Sequence, residues 1–475
     1  MNEPQISINL AGSLGFVLNT FLPMHYHFIA IGGNVMHNLA IALHCKGDMV
    51  TGSDDEIFEP SRSRLASFGL LPDRGGWYPD RIHAGIDAVI LGMHARADNP
   101  ELVRARELNI TVYSFPEFLY AHARDKKRVV IGGSHGKTTI TAMVLHVLHT
   151  SGIPCDYMIG APVRGLEDTV RLSSDSRLMV FEGDEYLTSA LDRRPKFHVY
   201  QPDIALISGI AWDHINVFPT FEGYLKQFRT FAGLVPPSGA LIYNADDAMV
   251  RDVILSARQG IKLIPYHMPA FQIRNGMTSL NISTTPVPLK IFGRHNLINL
   301  EGARMVCREL GVDDRDFYHA IRSFQGAFRR LELLALNGQT AVFFDFAHAP
   351  SKLKATVEAV KEQFPERRLV ACIELHTFSS LSGHFLSHYT DSMAEADQPI
   401  VYYNPHAIQL KRLPEIHPEQ VREAFNHPDL KVYTDAGRLF NDLMEFNWRN
   451  ANLLMMSSGD FGGMDVLALA KKITT

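Results

Sequence analysis

A lysine and two threonines directly behind a glycine turn are the residues of this chain best suited to chemistry. They stand in Gly133-Ser134-His135-Gly136-Lys137-Thr138-Thr139, between the apolar run "VVIG" and a stretch of helical spacing, "KTTITAMVLHVLHTSG". In that setting backbone N–H groups and a helix N-terminus face a phosphate, the lysine neutralises charge on the β/γ-phosphates of ATP, and a threonine hydroxyl reaches Mg²⁺. The longer G-x-x-x-x-G-K-T pattern needs a glycine where Ile131 stands, so this is the shorter G-x-x-G-K-T form. An ordinary turn before a helix explains the glycines alone; strand, glycines, Lys-Thr and helix together point to a phosphate loop.

Five further groups follow apolar runs or open helices, and a sixth stands at a junction. Glu182-Gly183-Asp184-Glu185 comes directly after "LMVF". Carboxylates at the C-terminal end of a strand in an α/β sheet sit where ligands bind, and their hard oxygens suit Mg²⁺, although a solvated acidic turn has the same composition. Trp212-Asp213-His214 follows "IALISGI" in the same way. A lone histidine is commonly a structural hydrogen-bonder, but a place after a strand of the same sheet favours function. Gly293-Arg294-His295-Asn296 opens a helix and reads alone as a cap. Asp345-Phe346-Ala347-His348-Ala349-Pro350 closes the run "AVFF", and Arg329-Arg330 stands at a junction where it either clamps phosphate or forms a salt-bridged hinge. Near the N-terminus, Gly32-Gly33 follows "HFIAI", with Asp54 roughly 20 residues on, the usual place for a ribose or base contact. Ala30 and Val35 occupy positions where a dinucleotide fingerprint wants further glycines, which leaves a nucleotide-binding sheet without a clear NAD signature.

Short apolar strands alternate with helical spacing throughout, which predicts an α/β class with parallel sheets and crossover helices. The 475 residues suggest about three domains. The charged stretch "ARDKKR" ending at Arg128 marks a first boundary, and the Arg330–Leu331 region a second. A formal net charge of -5 argues against a nucleic-acid binder driven by phosphate neutralisation. The 4 cysteines are scattered with no C-x-x-C pair, so no disulfide framework or zinc site is read, and a reducing cytoplasm fits. No apolar run reaches the roughly 20 residues of a membrane span, so no membrane insertion is expected. The stretch before Met24 lacks a basic n-region and a nucleotide-binding motif, and is expected to be dispensable.

Taken in order, "HFIAIGG", "TGSD", "GGSHGKTT", "FEGDEY", "WDH", "GRHNLIN", "FRRLE" and "DFAHAP" resemble the Mur ligase family over nearly the whole chain. "DNPELVRARELNITVYSFPEFL", "DRRPKFHVYQPDIALISGIAWDHINVF" and "MSSGDFGG" look like its murein-peptide-ligating branch. The resemblance implies three domains: a Rossmann-like UDP-sugar-binding domain over 1–127, a central P-loop ATPase domain over 128–329, and a C-terminal Rossmann-like α/β ligase domain over 330–475. It implies that Lys137 and Thr138 hold the ATP phosphates and Mg²⁺, within an ATP site of Gly133, Ser134, His135, Gly136, Lys137, Thr138, Thr139, Asn296, Arg330, Asp345 and His348. Thr138, Glu182 and His214 would be the metal ligands, and Lys137, Glu182 and His214 the catalytic set. Gly32, Gly33 and Asp54 would face the UDP-sugar. The implied partners are ATP, UDP-N-acetylmuramate and a murein tripeptide, joined through an acyl phosphate. The basic residues Arg194 and Lys196, just past Glu182, are expected to pair with the tripeptide's carboxylates.

Three positions depart from the family pattern. Ala349 replaces a second histidine, His376 stands where an arginine is usual, and Arg229 sits about where some relatives carry a carbamylated lysine, so that modification is not expected. Three rival readings remain: the same chemistry with free L-alanine as the amine, an NAD(P)-dependent oxidoreductase built on the N-terminal sheet, and a nucleotide-binding regulator without catalysis. The second, P-loop-bearing sheet argues against the oxidoreductase.

Overall fold

Continuous runs of β-branched and aromatic residues become parallel strands buried on both faces, as expected where helices cover both sides of a sheet. A computed structural model describes residues 23–163, 165–166, 168–212, 217–255, 257, 259–282 and 286–475. The stretch ahead of Met24 lies outside them but for Pro23.

Three α/β units follow one another, as the alternation of strand and helix predicts. In the first, β1 (His25–Ile29), β2 (Met49–Ser53), β3 (Ala88–Leu91) and β4 (Thr111–Ser114) form a parallel sheet in the order β2-β1-β3-β4. The helix Asn34–Lys46 follows β1 and stops at Gly47, which takes the left-handed conformation (φ 100°) that ends helices cheaply. The second unit holds β5 (Lys127–Gly132), β6 (Asp156–Met158), β7 (Val170–Arg171), β8 (Leu178–Glu182), β9 (Ile204–Ile207), β10 (Ala240–Asn244) and β11 (Lys262–Tyr266). Their order is β11-β10-β9-β5-β8-β6-β7, with β7 alone antiparallel. A small antiparallel sheet of β12 (Phe271–Arg274), β13 (Met277–Leu280) and β14 (Val287–Pro288) completes it. The third unit is a sheet of β15 (Glu332–Leu336), β16 (Thr340–Asp345), β17 (Arg368–Leu375), β18 (Gln398–Tyr403), β19 (Lys431–Tyr433) and β20 (Ala451–Met456) in the order β15-β16-β20-β17-β18-β19, antiparallel only at β15.

Strand periodicity divides the core. Val129 and Ile131 of β5 face the helices Lys137–Thr150 and Arg294–Glu309, packing with Val144, Leu297 and Leu300. Val130 faces the other way, into a cluster with Phe181, Phe197, Phe228 and Phe231 that also takes in Phe28 and Phe118 of the first unit. Each fully buried phenylalanine there contributes roughly 2 kcal/mol. The shared cluster seats the first unit against the second. Polar ties reinforce that seat: Lys126 pairs with the buried Asp156, and Arg64 bonds Asp168 at 2.6 Å. The charged stretch expected as a boundary is therefore held in place. Lys127 and Arg128 already belong to β5, and Arg128 bonds Asp203 and the carbonyls of Ala123, Lys126 and Gln201.

The junction to the third unit is built differently. Arg329 and Leu331 both take positive φ, 54° and 47°, a conformation side chains rarely adopt. The turn is fixed by Asp345, whose carboxylate accepts from Leu331 N and Ala347 N, both at 2.6 Å. Beyond it the helix Pro350–Gln363 rests on the small sheet, where Thr278 donates to Gln363 at 2.7 Å.

Candidate functional site

Strand ends of the second unit meet the third unit around a cleft of about 270 Å³. Its floor is the phosphate loop, residues 134–139, with Glu182 at the end of β8, and its opposite wall carries Arg330, Asp345, Ser351, Lys352 and Thr356. His295, Asn296 and Asn299 enter from the first turns of the helix Arg294–Glu309. Parallel α/β sheets bind ligands at the carboxyl ends of their strands because helix N-termini and loop N–H groups gather there.

The loop's backbone demands its glycines. Gly133 and Gly136 have φ of 136° and 81°, and a Cβ on them would come within 2.0 Å of Ser208 Oγ and 2.3 Å of Asn299 Oδ1. Lys137 donates to Gly133 O and to Glu185 Oε2, both at 2.6 Å. Burial pulls its ammonium down, but the carboxylates of Glu185, Asp184 and Glu182 outweigh that and hold it above the usual lysine range. Thr138 Oγ1 donates to Glu182 Oε1 at 2.7 Å, and Glu182 Oε2 accepts from Gly160 N at 2.7 Å.

The remaining candidates divide between cleft and margin. Ser134 and Thr139 line the cleft. His135 lies there too, and burial, then the nearby Lys352 cation, lower its imidazole. Burial and His135 together bring His295 down to about 4, so both rings are neutral at neutral pH. Asn296 donates to Phe292 O at 2.9 Å at the cleft wall. Burial pushes the Asp345 carboxyl up against the opposing pull of Arg330 and two backbone donors. The Arg330 guanidinium lies 5.0 Å from the centroid of Phe346. His348 sits just outside the lining, its Nδ1 bonded to Phe346 O at 2.9 Å. His214 and Asp213 fall outside the described residues.

Two expected groups lie elsewhere. Gly32 and Gly33 turn the chain after β1, and Gly32 N donates to Asp54 Oδ2 at 2.8 Å. Burial raises the Asp54 carboxyl to about 6. Arg194 bonds Asp192 at 2.6 Å and, across to the first unit, Glu117 at 3.0 Å, beside a second cavity of about 510 Å³ lined by Ser114, Glu117, Ser189 and Asp192. Lys196 is nearly buried and bonds Asp184 at 2.6 Å. Arg229 pairs with Glu222 and Asp252 on the surface. His376 stands 3.8 Å from Glu374 at the end of β17.

Sequence reasoning took Glu185 only as part of an acidic turn suited to Mg²⁺, and passed over Tyr224 and Lys352. Lys352 left one legible signal: it is a cation in the first turn of a helix that opens with Pro350, where the helix dipole disfavours positive charge. The pairing of Glu185 with Lys137 and the place of Tyr224 left none, because they depend on contacts 48 and 90 residues away.

The residues present fit a nucleotide and its metal. The glycine cradle accepts no side chain, a lysine stands within it, and a hydroxyl and a carboxylate set two hard oxygens side by side. No group of three or more His, Cys, Asp or Glu able to hold a metal occurs among the described residues. Mg²⁺ takes few protein ligands and completes its shell with phosphate and water. Among the described residues no helix is long and apolar enough to cross a membrane.

Comparison with known proteins places these features in context. A family model for the Mur ligase middle domain matches residues 131–307, and one for the Mur ligase, glutamate ligase domain, matches residues 329–459. A UDP-N-acetylmuramate--L-alanine ligase of Caldicellulosiruptor bescii is 31% identical over 392 residues, 79% of this chain and 83% of that protein. A UDP-N-acetylmuramate--L-alanyl-gamma-D-glutamyl-meso-2,6-diaminoheptandioate ligase of Haemophilus influenzae is 26% identical over 94% of this chain and 99% of its own. Among solved structures, a UDP-N-acetylmuramate-alanine ligase from Thermotoga maritima superposes with a TM-score of 0.69 at 19% identity, covering 95% of this chain and 98% of that one. A murein peptide ligase from Psychrobacter arcticus gives 0.63 at 22%, covering 95% and 99%. These two structural likenesses concern the fold.

Proposed function

The chain belongs to the Mur ligase family of ATP-dependent, amide-forming ligases of cell-wall precursor synthesis, and from that premise we propose that it activates the carboxylate of UDP-N-acetylmuramate and joins it to a murein tripeptide, L-alanyl-γ-D-glutamyl-meso-diaminopimelate. The observation that carries the reading is the pairing of Lys137 and Thr138 with Glu185 and Glu182 on the floor of a cleft closed by Arg330 and Asp345. In this proposal residues 1–127 hold the UDP-sugar, 128–329 the nucleotide, and 330–475 close over both. Use of ATP implies a cytoplasmic reaction.

A carboxylate is anionic and its oxygen leaves badly, so it must first become an acyl phosphate. The substrate carboxylate attacks the γ-phosphorus of ATP and ADP departs. The amine of the peptide then attacks the carbonyl, and inorganic phosphate leaves from the tetrahedral intermediate. Lys137 neutralises charge that grows on the transferring phosphoryl group. Thr138, Glu182 and, in this reading, His214 would hold Mg²⁺, which when bound would supply charge to screen and orient the phosphates. Arg330 and Asp345 bind the nucleotide from the third unit, with His348 behind them, and Asn296 meets the base. Bringing the third unit onto the loop excludes water that would hydrolyse the acyl phosphate.

The acid is common to the names of both relatives, and the amine is what divides them. For the tripeptide speak the segments of the peptide-ligating branch and the half-exposed Arg194, whose guanidinium can exchange Asp192 for a substrate carboxylate. Lys196, nearly buried against Asp184, supports the loop that carries it. For L-alanine speaks the 31% identity to a ligase of that name. The deciding experiment is ATP-dependent phosphate release with UDP-N-acetylmuramate and the two amines in competition at equal concentration. Preference for tripeptide is expected; equal use of L-alanine would overturn the choice of amine, and no amine-dependent release at all would overturn the ligase assignment to this acid.

A further inference from the structure

Behind the phosphate loop runs a chain of hydrogen bonds that the ligase reading leaves without a task. Ala211 N donates to Ser134 Oγ at 2.9 Å. Ser134 Oγ lies 2.8 Å from the Tyr224 hydroxyl, which in turn donates to Glu185 Oε1 at 3.1 Å. Glu185 Oε2 accepts from Lys137 Nζ at 2.6 Å. Because the Tyr224 proton goes to Glu185, the Ser134 hydroxyl donates to Tyr224, and these donors are aimed the same way, towards the carboxylate. Glu185 and Tyr224 have no exposed surface, and the Lys137 side chain is 13% exposed.

Two consequences follow. The residues that follow the two glycines, Ser134 and Lys137, are both tied to one buried carboxylate, so the loop is set before a nucleotide arrives. The lysine's charge is also already answered within the protein. A phosphate oxygen that draws Lys137 towards itself does so against an anion already in contact, in a buried setting where such a contact is strong.

We propose that Glu185 is the positioning residue of the phosphate loop: through Lys137 directly and through Tyr224 to Ser134, it holds the loop in its binding form and competes with the nucleotide's phosphates for the lysine. Binding is thereby kept weak enough for ADP to leave after each turnover, while the lysine stays aimed at the transferring phosphoryl group. This rests on the assignment of the cleft to ATP made above.

The test uses the full-length protein and ADP with Mg²⁺, titrated in a calorimeter without other substrates. Glu185→Gln keeps the shape and the hydrogen bond from Lys137 but removes the competing charge. ADP should bind it more tightly, on the order of tenfold, while turnover falls. In a Lys137→Ala background the same substitution should leave ADP affinity unchanged, since the competition acts through the lysine. Tyr224→Phe, which cuts the link to Ser134 and keeps the charge, should lower turnover without tightening ADP binding. Unchanged or weaker ADP binding by folded Glu185→Gln, or an equal gain in the Lys137→Ala background, overturns the inference. If Glu185→Gln proves unfolded, Glu185→Asp replaces it: the shortened side chain cannot span the same contact and should also tighten ADP binding, and no change there overturns the inference equally. Failure of the wild type to bind ADP would instead strike the ATP assignment itself.

Discussion

The molecule contains two glycine turns at the same place in two parallel sheets, one after β1 and one after β5, and each opens a helix of similar length, 13 and 14 residues. After β5 the turn is lined by side chains from other elements: Glu182 from β8, Glu185 beyond it, Tyr224 from the helix Phe221–Leu234, and Asn299 from the helix Arg294–Glu309. After β1 the turn closes on its immediate neighbour, with Asp54 accepting from Gly32 N. The turn after β5 has a lysine to offer a phosphate. The turn after β1 offers backbone and a buried carboxyl, raised to about 6. The same strand–glycine–helix unit therefore takes its charge from the elements packed around it.

Five substitutions probe that contrast. The largest effect is expected from Lys137→Ala, which should cut ligation by at least about 10²–10³-fold with little change in thermal stability; near-normal phosphate release by the folded variant would falsify the ATP-site assignment. Next come matched glycine substitutions. Gly136→Ala forces a Cβ to within 2.3 Å of Asn299 at a φ of 81°, and should weaken ATP binding more than about tenfold. Gly33 has φ -58° and its Cβ would meet the flexible Met36 side chain at 3.3 Å and Ala30 O at an ordinary 3.6 Å, so Gly33→Ala should leave the KM for ATP unchanged. Equal effects of the two on ATP would dissolve the contrast.

Glu182→Ala removes one of two adjacent oxygens at the proposed Mg²⁺ position. Turnover at limiting Mg²⁺ should fall about tenfold and recover in part with excess metal, whereas an Mg²⁺ dependence identical to wild type would make Glu182 structural. The smallest effect concerns Asp54. Its carboxyl is raised from 3.8 to about 6, chiefly by burial, so the folded chain binds that proton more tightly than the unfolded one. Stability from this group is full below about pH 4 and declines as the pH rises to about 6, by on the order of 1 kcal/mol. Asp54→Asn should flatten that slope in denaturation curves without altering ATP-dependent turnover at saturating substrates. A slope unchanged by the substitution assigns the pH dependence to other groups.

The sequence by itself determined the elements and most of what lines the cleft. Apolar runs bounded by glycine and acidic turns marked β1, β5, β8, β9, β16 and β20, because a strand covered on both faces needs an unbroken apolar run and its punctuation must be local. Lys137, Thr138, Glu182 and Asp345 were legible for the same reason: each stands at a strand end or a helix start, and in a parallel sheet those ends face the ligand, whereas Asn296 and Arg330 came from the family resemblance. Tertiary structure alone decided which side chains meet. Glu185 reached Lys137 and Tyr224 reached Ser134 only because β5, β8 and the helix Phe221–Leu234 were brought together by the aromatic cluster of Phe181, Phe197 and Phe228. It also decided that Arg194 and Lys196 already have carboxylate partners, and that the first charged stretch is a seat while the second junction turns on two residues of positive φ. The physical reason is range. Propensity and periodicity act over a few residues, whereas an ion pair between residues 48 apart exists only once packing has folded the chain back on itself.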